Sequence, residues 1–265
     1  MTIRIWFQKH TVEGRMPLLD AWYREHFASV TRPDTVVDIH TLPEAAYPKA
    51  IPNGVVRFGS VETFFSGYFA QQAYAAERDG YDAFITGASQ DPGLHEARTV
   101  VGIPVLGYGE TSFHMAAMTG QRFAIIGFVK ELAEPLMENI VKAGLTHRFS
   151  GFHYLKGGTL TVPEALEGNT QQFVEAFTVA ARDAIASGAQ LLLPGEGLPN
   201  EILWHLGIHD VDGVPIIDPG GLVIKMAELM VELNRSKILS RSEAGYWLRR
   251  PDPEYLQHLT EVFWK

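Results

Sequence analysis

The sequence predicts an α/β protein made of two pseudo-symmetric halves, each a doubly wound parallel sheet, with a ligand cleft between them. Three observations predict it. Short apolar runs alternate with helix-length segments along the chain, the pattern that a parallel sheet with helices on both faces requires. Tyr81 to Glu110 (YDAFITGASQDPGLHEARTVVGIPVLGYGE) reads as a buried strand, a small-residue turn, a helix and a second strand. Gly188 to Gly220 (GAQLLLPGEGLPNEILWHLGIHDVDGVPIIDPG) then repeats that plan, with GVPIID answering GIPVLG.

In order, Ile3–Phe7 is an apolar run that reads as a first buried strand, and Leu18–Val30 has helical spacing. Thr35–Ile39 is a second strand, followed by a long loop over His40–Asn53 that is punctuated by proline. Val61–Arg78 is a helix. The organising unit comes next, with a strand at Ala83–Thr86, a helix opening at Asp91-Pro92 and a strand at Ile103–Leu106. Thr111–Met118 reads as a short helix, Arg122–Phe128 as a strand echoing Ile3–Phe7, and Glu131–Ala143 as a helix with Gly144 as its C-cap. Phe149–Leu155 is a strand, Gly157–Asn169 a glycine-rich loop and Thr170–Ser187 a long helix. The echo unit follows, with a strand at Leu191–Leu193, a turn at Pro194–Gly197, a helix from near Pro199 and a strand at Val214–Ile217. Gly221–Asn234 is expected to cross back and complete the first half. That gives domains of 1–110 plus 219–265 and of 111–218, hinged at the cleft. The tail Arg235–Lys265, with its Tyr255, Phe263 and Trp264, reads as an anchor on the body or on a second subunit of a homo-oligomer.

Composition narrows the function. The 265 residues are 46% hydrophobic and 20% charged, with a net charge of −9 and no basic stripe, which argues against nucleic acid. No apolar run is long enough to cross a bilayer and the start lacks a signal-peptide core, so a cytoplasmic protein off the membrane is expected. There is no cysteine, which removes disulfides and thiol chemistry. No cofactor is implied. His205 and His209 are four apart, but Gly207 ends the helix between them and the glutamate of a zinc-protease pattern is missing, so no metal site is expected.

The two turns carry the functional expectation. A strand that runs through small residues into a helix leaves backbone N–H groups at the positive end of the helix dipole, and those donors hold an anionic oxygen. Glu196, in the second turn, is the first candidate for a general base, with Gly195 leaving room for a ligand or water beside it and Gly197 in the same substrate cradle; a charge that satisfies the helix dipole is its other reading. Asp91 is a second catalytic candidate, although capping of the helix at Pro92 explains it equally well. Thr86, Ser89 and Gln90 are donors for a carboxylate or oxyanion. Glu110 and His114 read as an acid/base couple on one helical face or as a capping carboxylate and a buried histidine. His10 and Tyr47 come from loops over the strand ends and read as groups that orient substrate or give a proton, with a solvent-facing loop histidine as the other reading of His10.

DAFITGASQDPGLHEARTVVGIPVLGYGE, FHMAAMTGQRFAIIGF, QLLLPGEGLPNEIL and GVPIIDP together resemble the aspartate/glutamate/hydantoin racemase superfamily. The hydantoin racemase branch is nearest, through Asp91-Pro92-Gly93-Leu94. The likeness spans most of Ile3 to Leu233 and implies the two-domain fold with its substrate between the halves. It also implies one thiol in each turn, adding and removing a proton on opposite faces. Those positions are Ala88 and Gly195 here, so they remain part of the substrate cradle without supplying the chemistry. The expectation drawn from that loss is a cysteine-independent amidohydrolase, with Glu196 activating water against an amide or lactam C–N bond of a small carboxylate, amide or cyclic imide. The alternatives are a racemase or isomerase with non-thiol bases, a decarboxylase, and a non-catalytic binding protein for small acids.

Overall fold

Ile3–Lys9 (β1) forms the centre of the first sheet because its two faces are both apolar. Ile3, Ile5 and Phe7 point into one buried cluster and Trp6 into another. Pro17–Val30 (α1) follows, and then Thr35–His40 (β2), which pairs parallel to β1 with Ile5 opposite Val37. Gly59–Arg78 (α2) leads to Ala83–Gly87 (β3), on the other side of β1 with Phe7 opposite Ile85. Leu94–Val100 (α3) and Val105–Gly107 (β4) complete a four-stranded parallel sheet in the order β2-β1-β3-β4. The computed structural model describes residues 2–47 and 54–264. The expected loop over His40–Asn53 is therefore seen as far as Tyr47, with a 3₁₀ turn at Glu44–Ala46, and its remainder lies outside the described residues.

Tyr108–Thr119 (α4) leads into the second sheet. Its centre is Phe123–Gly127 (β5), flanked by Phe149–Tyr154 (β6) and Leu191–Pro194 (β7), all parallel, in the order β6-β5-β7. Ala133–Lys142 (α5) and Gln171–Ala186 (α7) are the expected helices. Between them, Gly158–Leu166 (α6) is a helix where a glycine-rich loop was expected. The spacing of Val162, Ala165 and Leu166, all buried, stabilises it, and Gly157 takes a left-handed φ of 71° just before it.

Gly197–His205 (α8) follows β7. The closing strand is shorter than expected. Asp210–Val211 (β8) and Val214–Pro215 (β9) form a small antiparallel pair, and only Ile216 bridges to Leu192 of β7. Pro219–Arg235 (α9) then returns to pack on β1, β3, β4 and α4. Pro253–Phe263 (α10) lies against the body through Leu256, and Trp264 meets Tyr74 edge-on at 5.8 Å. Tyr255 and Phe263, expected to share that anchor, are exposed. One apolar cluster runs from Ile3 and Phe7 through Phe113 to Phe123, Phe177 and Leu192, so the two sheets share a continuous core.

In each sheet the central strand has its chain successor on one side and its later partner on the other, so the winding direction reverses beside β1 and beside β5. Such reversals open a crevice at the carboxyl ends of the strands. Past β3, Gly93 has φ 68° and its absent Cβ would lie against the backbone carbonyl of Ser66 in α2. Gly93→Ala is expected to destabilise the fold by about 1–3 kcal/mol, through left-handed strain and that backbone collision. A urea midpoint shift at unchanged slope is the measurement, and an unshifted midpoint would show that α2 yields freely.

Candidate active site

The carboxyl ends of β1, β3, β5 and β7 converge on one narrow cleft. It is lined by His10 past β1, Ser89 and Gln90 past β3, Phe128 and Val129 past β5, and Glu196 and Gly197 past β7, with Val56, Leu132 and Leu198 as apolar walls. Its volume is about 20 Å³, room for about one water.

Glu196 is the N-cap residue of α8 with an extended backbone (φ −138°, ψ 157°). Its buried carboxylate reaches across to the end of β5 and accepts hydrogen bonds from the backbone N–H groups of Phe128 (3.2 Å) and Val129 (3.1 Å). Burial pushes its pKa up to about 7, with those two N–H groups holding it back. A carboxyl group that titrates near neutrality can take or give a proton at little cost. The expected room at Gly195 is absent. A Cβ there would lie 2.9 Å from Cγ2 of Ile125 and 3.2 Å from Cα of Gly127. Gly195 therefore lets β7 pack tightly on β5 and does not open the site.

His10 is half-buried, edge-on to Phe65 at 6.3 Å. Burial lowers its pKa to about 4, so its ring is neutral at pH 7. Ser89 Oγ lies 3.4 Å from Gln90 Oε1, and the Gln90 carbonyl accepts from Asn139 Nδ2 at 2.7 Å, which ties the first turn to α5 of the other half.

Asp91 stands behind the cleft, not in it. Helix α3 starts at Leu94, three residues after Asp91, and Asp91 itself turns left-handed (φ 56°). Its carboxylate therefore does not cap its own helix. It accepts from the N–H groups of Gly109 (2.8 Å) and Glu110 (2.6 Å), at the first turn of α4. The approach is close: a Cβ on Gly109 would collide with the Ser89 carbonyl. Burial raises the Asp91 pKa to about 8 against the pull of those N–H groups. The Thr86 hydroxyl faces Asp91 and the Leu106 carbonyl, both at 3.4 Å, and Ala88 is buried in the same turn.

Tyr47 packs with Val12, Leu42 and Phe69, and its hydroxyl donates to the His10 carbonyl at 2.9 Å, so it braces the His10 loop from behind. Glu110 and His114 lie on a different face, where His114 is exposed and not the buried histidine of the alternative reading. Glu110 is clamped by Arg98 (3.0 and 2.5 Å), which keeps its pKa low despite burial, and both residues line an apolar groove with Met115, Met118, Met226 and Met230. His205 stacks on Trp22 at 4.3 Å and Gly207 turns the chain left-handed before His209, as expected.

Sequence reasoning missed the donors at Phe128 and Val129, because backbone N–H groups leave no mark in the residue letters. It also missed a polar cluster beneath α8, of buried His26, Asn200 and Glu201 with partly exposed Asp218 at its edge. The available signal was polar residues on helix faces that are otherwise apolar: His26 beside Trp22, Tyr23 and Phe27, and Glu201 beside Leu198, Ile202 and Leu203.

Residues 25–227 match the family described as Asp/Glu/hydantoin racemase, and the chain belongs to that family. The hydantoin racemase of Paenarthrobacter aurescens is 25% identical over 223 residues, 83% of this chain and 90% of that protein. The hydantoin racemase of Pseudomonas sp. (strain NS671) is 28% identical over 222 residues, 80% of each. Among solved structures, an allantoin racemase from Klebsiella pneumoniae superposes with a TM-score of 0.71 at 23% identity, covering 95% of this chain and 94% of that one, which shows the shared fold. These findings overturn the expectation of C–N hydrolysis. That expectation rested on the missing thiols and on a single carboxylate beside an oxyanion cradle, whereas the relatives that match across most of the chain are named as racemases. Among the described residues no helix is long and apolar enough to cross a membrane.

Because the Glu196 pKa is raised above its unfolded value of 4.5 to about 7, folding loses stability as the pH rises from about 4.5 to about 7. Glu196→Gln keeps an acceptor for the Phe128 and Val129 N–H groups and removes the titration. Its melting temperature relative to wild type should therefore rise steadily across that pH window. A constant difference would mean that Glu196 does not titrate there.

Proposed function

We propose that this protein is a racemase or isomerase of small cyclic ureides or imides of the hydantoin kind, using Glu196 and His10 as its two proton-transferring groups. The observation that carries the reading is the placement of these two groups on one cleft, one from each half of the molecule, with neither in an ion pair among the described residues. Stereoinversion at a carbon beside a carbonyl needs a proton removed from one face and returned to the other. A thiol is not required for this, only two groups on opposite faces that between them hold one transferable proton. Family membership and the names of the curated relatives support the reaction class.

In the proposed cycle, neutral His10 takes the acidic C–H proton while protonated Glu196 delivers one to the opposite face, and the reverse transfer runs with the roles exchanged. Negative charge that develops on the carbonyl oxygen would be held by Ser89, Gln90 and the N-terminal N–H groups of α8. The expected division into 1–110 plus 219–265 and 111–218 fits this cycle. Each part carries one sheet, α9 returns onto the first, and a hinge between them would open the narrow cleft to a ring.

Both directions use the form of the His10–Glu196 pair that holds a single proton. Turnover should therefore be bell-shaped, falling below about pH 4 as His10 protonates and above about pH 7 as Glu196 loses its proton. In deuterated buffer, a single enantiomer of a 5-substituted hydantoin should lose optical rotation and its ring C–H signal together while the ring stays intact. Glu196→Gln and His10→Asn should each lower kcat by about 100-fold or more. Ring-opened product, or full turnover in either variant, would sink the assignment.

A further inference from the structure

The strongest polar feature outside the cleft is the cluster beneath α8. His26 of α1 is completely buried and both its ring nitrogens face carboxylates, Nδ1 at 3.0 and 3.2 Å from the two oxygens of Glu201 and Nε2 at 2.8 Å from Asp218. Ionised carboxylates only accept, so a histidine between two of them is satisfied on both sides as the doubly protonated imidazolium. Burial pushes the Glu201 pKa up, and the hydrogen bond and charge of His26 pull against that. Asn200 joins the two carboxylates, donating to Glu201 at 3.1 Å and to Asp218 at 3.0 Å. The indole of Trp204 lies over the imidazole at 4.5 Å.

The members come from three elements. His26 is on α1, Asn200 and Glu201 are on α8, and Asp218 is the N-cap of α9, accepting from the Gly221 N–H at 3.1 Å. Two glycines let them meet. A Cβ on Gly220 would lie 3.0 Å from His26 Cε1 and 3.1 Å from Asn200 Nδ2, and one on Gly221 would strike Asp218. The same α8 carries Glu196 at its N-cap and Gly197 in its first turn, about one helical turn above Asn200 and Glu201.

We infer that His26 is a positioning residue, which as an imidazolium clamped between Glu201 and Asp218 locks α8 to α1 and α9 and so holds Glu196 in register with the end of β5. The inference rests on the reading of Glu196 as a proton-transferring group. The cluster also accounts for an expensive feature. A charged imidazole facing a buried carboxylate and a partly exposed one costs desolvation, which hydrogen bonds to both sides of the ring offset here. That arrangement fixes the helix that delivers the base.

The charged and titratable groups packed around His26 are Glu201 from α8, Asp218 from α9, Tyr23 from α1 and Tyr108 from α4. Burial pushes both tyrosines well above their usual range, so they are neutral there. Burial itself lowers the His26 pKa, but the hydrogen bonds and charges of Asp218 and Glu201 outweigh it and raise it to about 9. With a folded value above the unfolded 6.5, the clamp contributes fully below about pH 6.5 and is lost as the pH rises through about 9.

The test is hydrogen exchange by mass spectrometry on the whole protein, comparing peptides over α8 with peptides over α7, in wild type, His26→Gln and Asp218→Asn. Asparagine still caps α9, so Asp218→Asn removes the charge and spares the helix if His26→Gln folds poorly. At pH 7 both variants should exchange about tenfold faster than wild type in α8 and be unchanged in α7. After correction for intrinsic rates, α8 protection in wild type should step down through about pH 9, and the step should be missing in His26→Gln. Equal acceleration in α7 and α8, or no pH step in wild type, would overturn the inference by making the cluster a general stabiliser. No substrate enters the measurement, so absence of racemase turnover would fail the functional reading separately.

Discussion

A buried carboxylate must find N–H donors, and the site depends on how two of them do so. Asp91 and Glu196 both sit in turns past the end of a parallel strand, and each reaches backbone N–H groups outside its own turn. Asp91 takes the first turn of α4, which fixes the 88–91 turn against the start of the second half. Glu196 takes the end of β5, which fixes the α8 N-terminus against the neighbouring strand. Without these bonds either group would be an unsatisfied polar group in the interior, pushed further toward its neutral form. The bonds hold each carboxylate in one place, while burial keeps each pKa high.

The two carboxylates nonetheless differ in what they can do. Asp91 is enclosed by Thr86, Gly107 and Gly109 and does not line the cleft. Glu196 is equally buried by its donors but lines the cleft together with His10, Ser89 and Gln90. The difference follows from the turns. After β3 the chain runs three residues past Ala88 and turns left-handed, so that Asp91 points back under the sheet end. After β7 the helix starts at once, and its extended N-cap residue points across the crevice.

Much of the fold was legible in the residues, because it is written in apolar periodicity. The strands at Ile3, Thr35, Ala83, Phe123, Phe149 and Leu191 and the helix at Gly221 stand where the spacing places them, within a few residues. Gly158–Leu166 was not legible, because glycines before it and Pro163 within it signal a loop while three buried side chains decide for a helix. Of the candidate site, Glu196, His10, Ser89, Gln90 and Gly197 meet at one place because each follows a strand end. Asp91, Tyr47, Glu110 and His114 follow strand ends too, or overhang them. What separates them is where a side chain finds its partner: Gly109 N–H for Asp91, the His10 carbonyl for Tyr47, Arg98 for Glu110. Those partners are distant in sequence and leave no periodic trace.

The absence of cysteine misled the reading of the reaction for a related reason. A residue type names a chemical group, whereas a proton transfer needs a position, an orientation and a pKa. In this chain Ala88 and Gly195 stand where thiols were implied, and a side chain at Gly195 would have to displace Ile125. The strand ends nevertheless bring a neutral imidazole and a carboxyl group poised near neutrality to the same crevice. Burial acts on both, raising the carboxyl group toward neutrality and keeping the imidazole uncharged, so between about pH 4 and 7 the pair holds one proton, on Glu196.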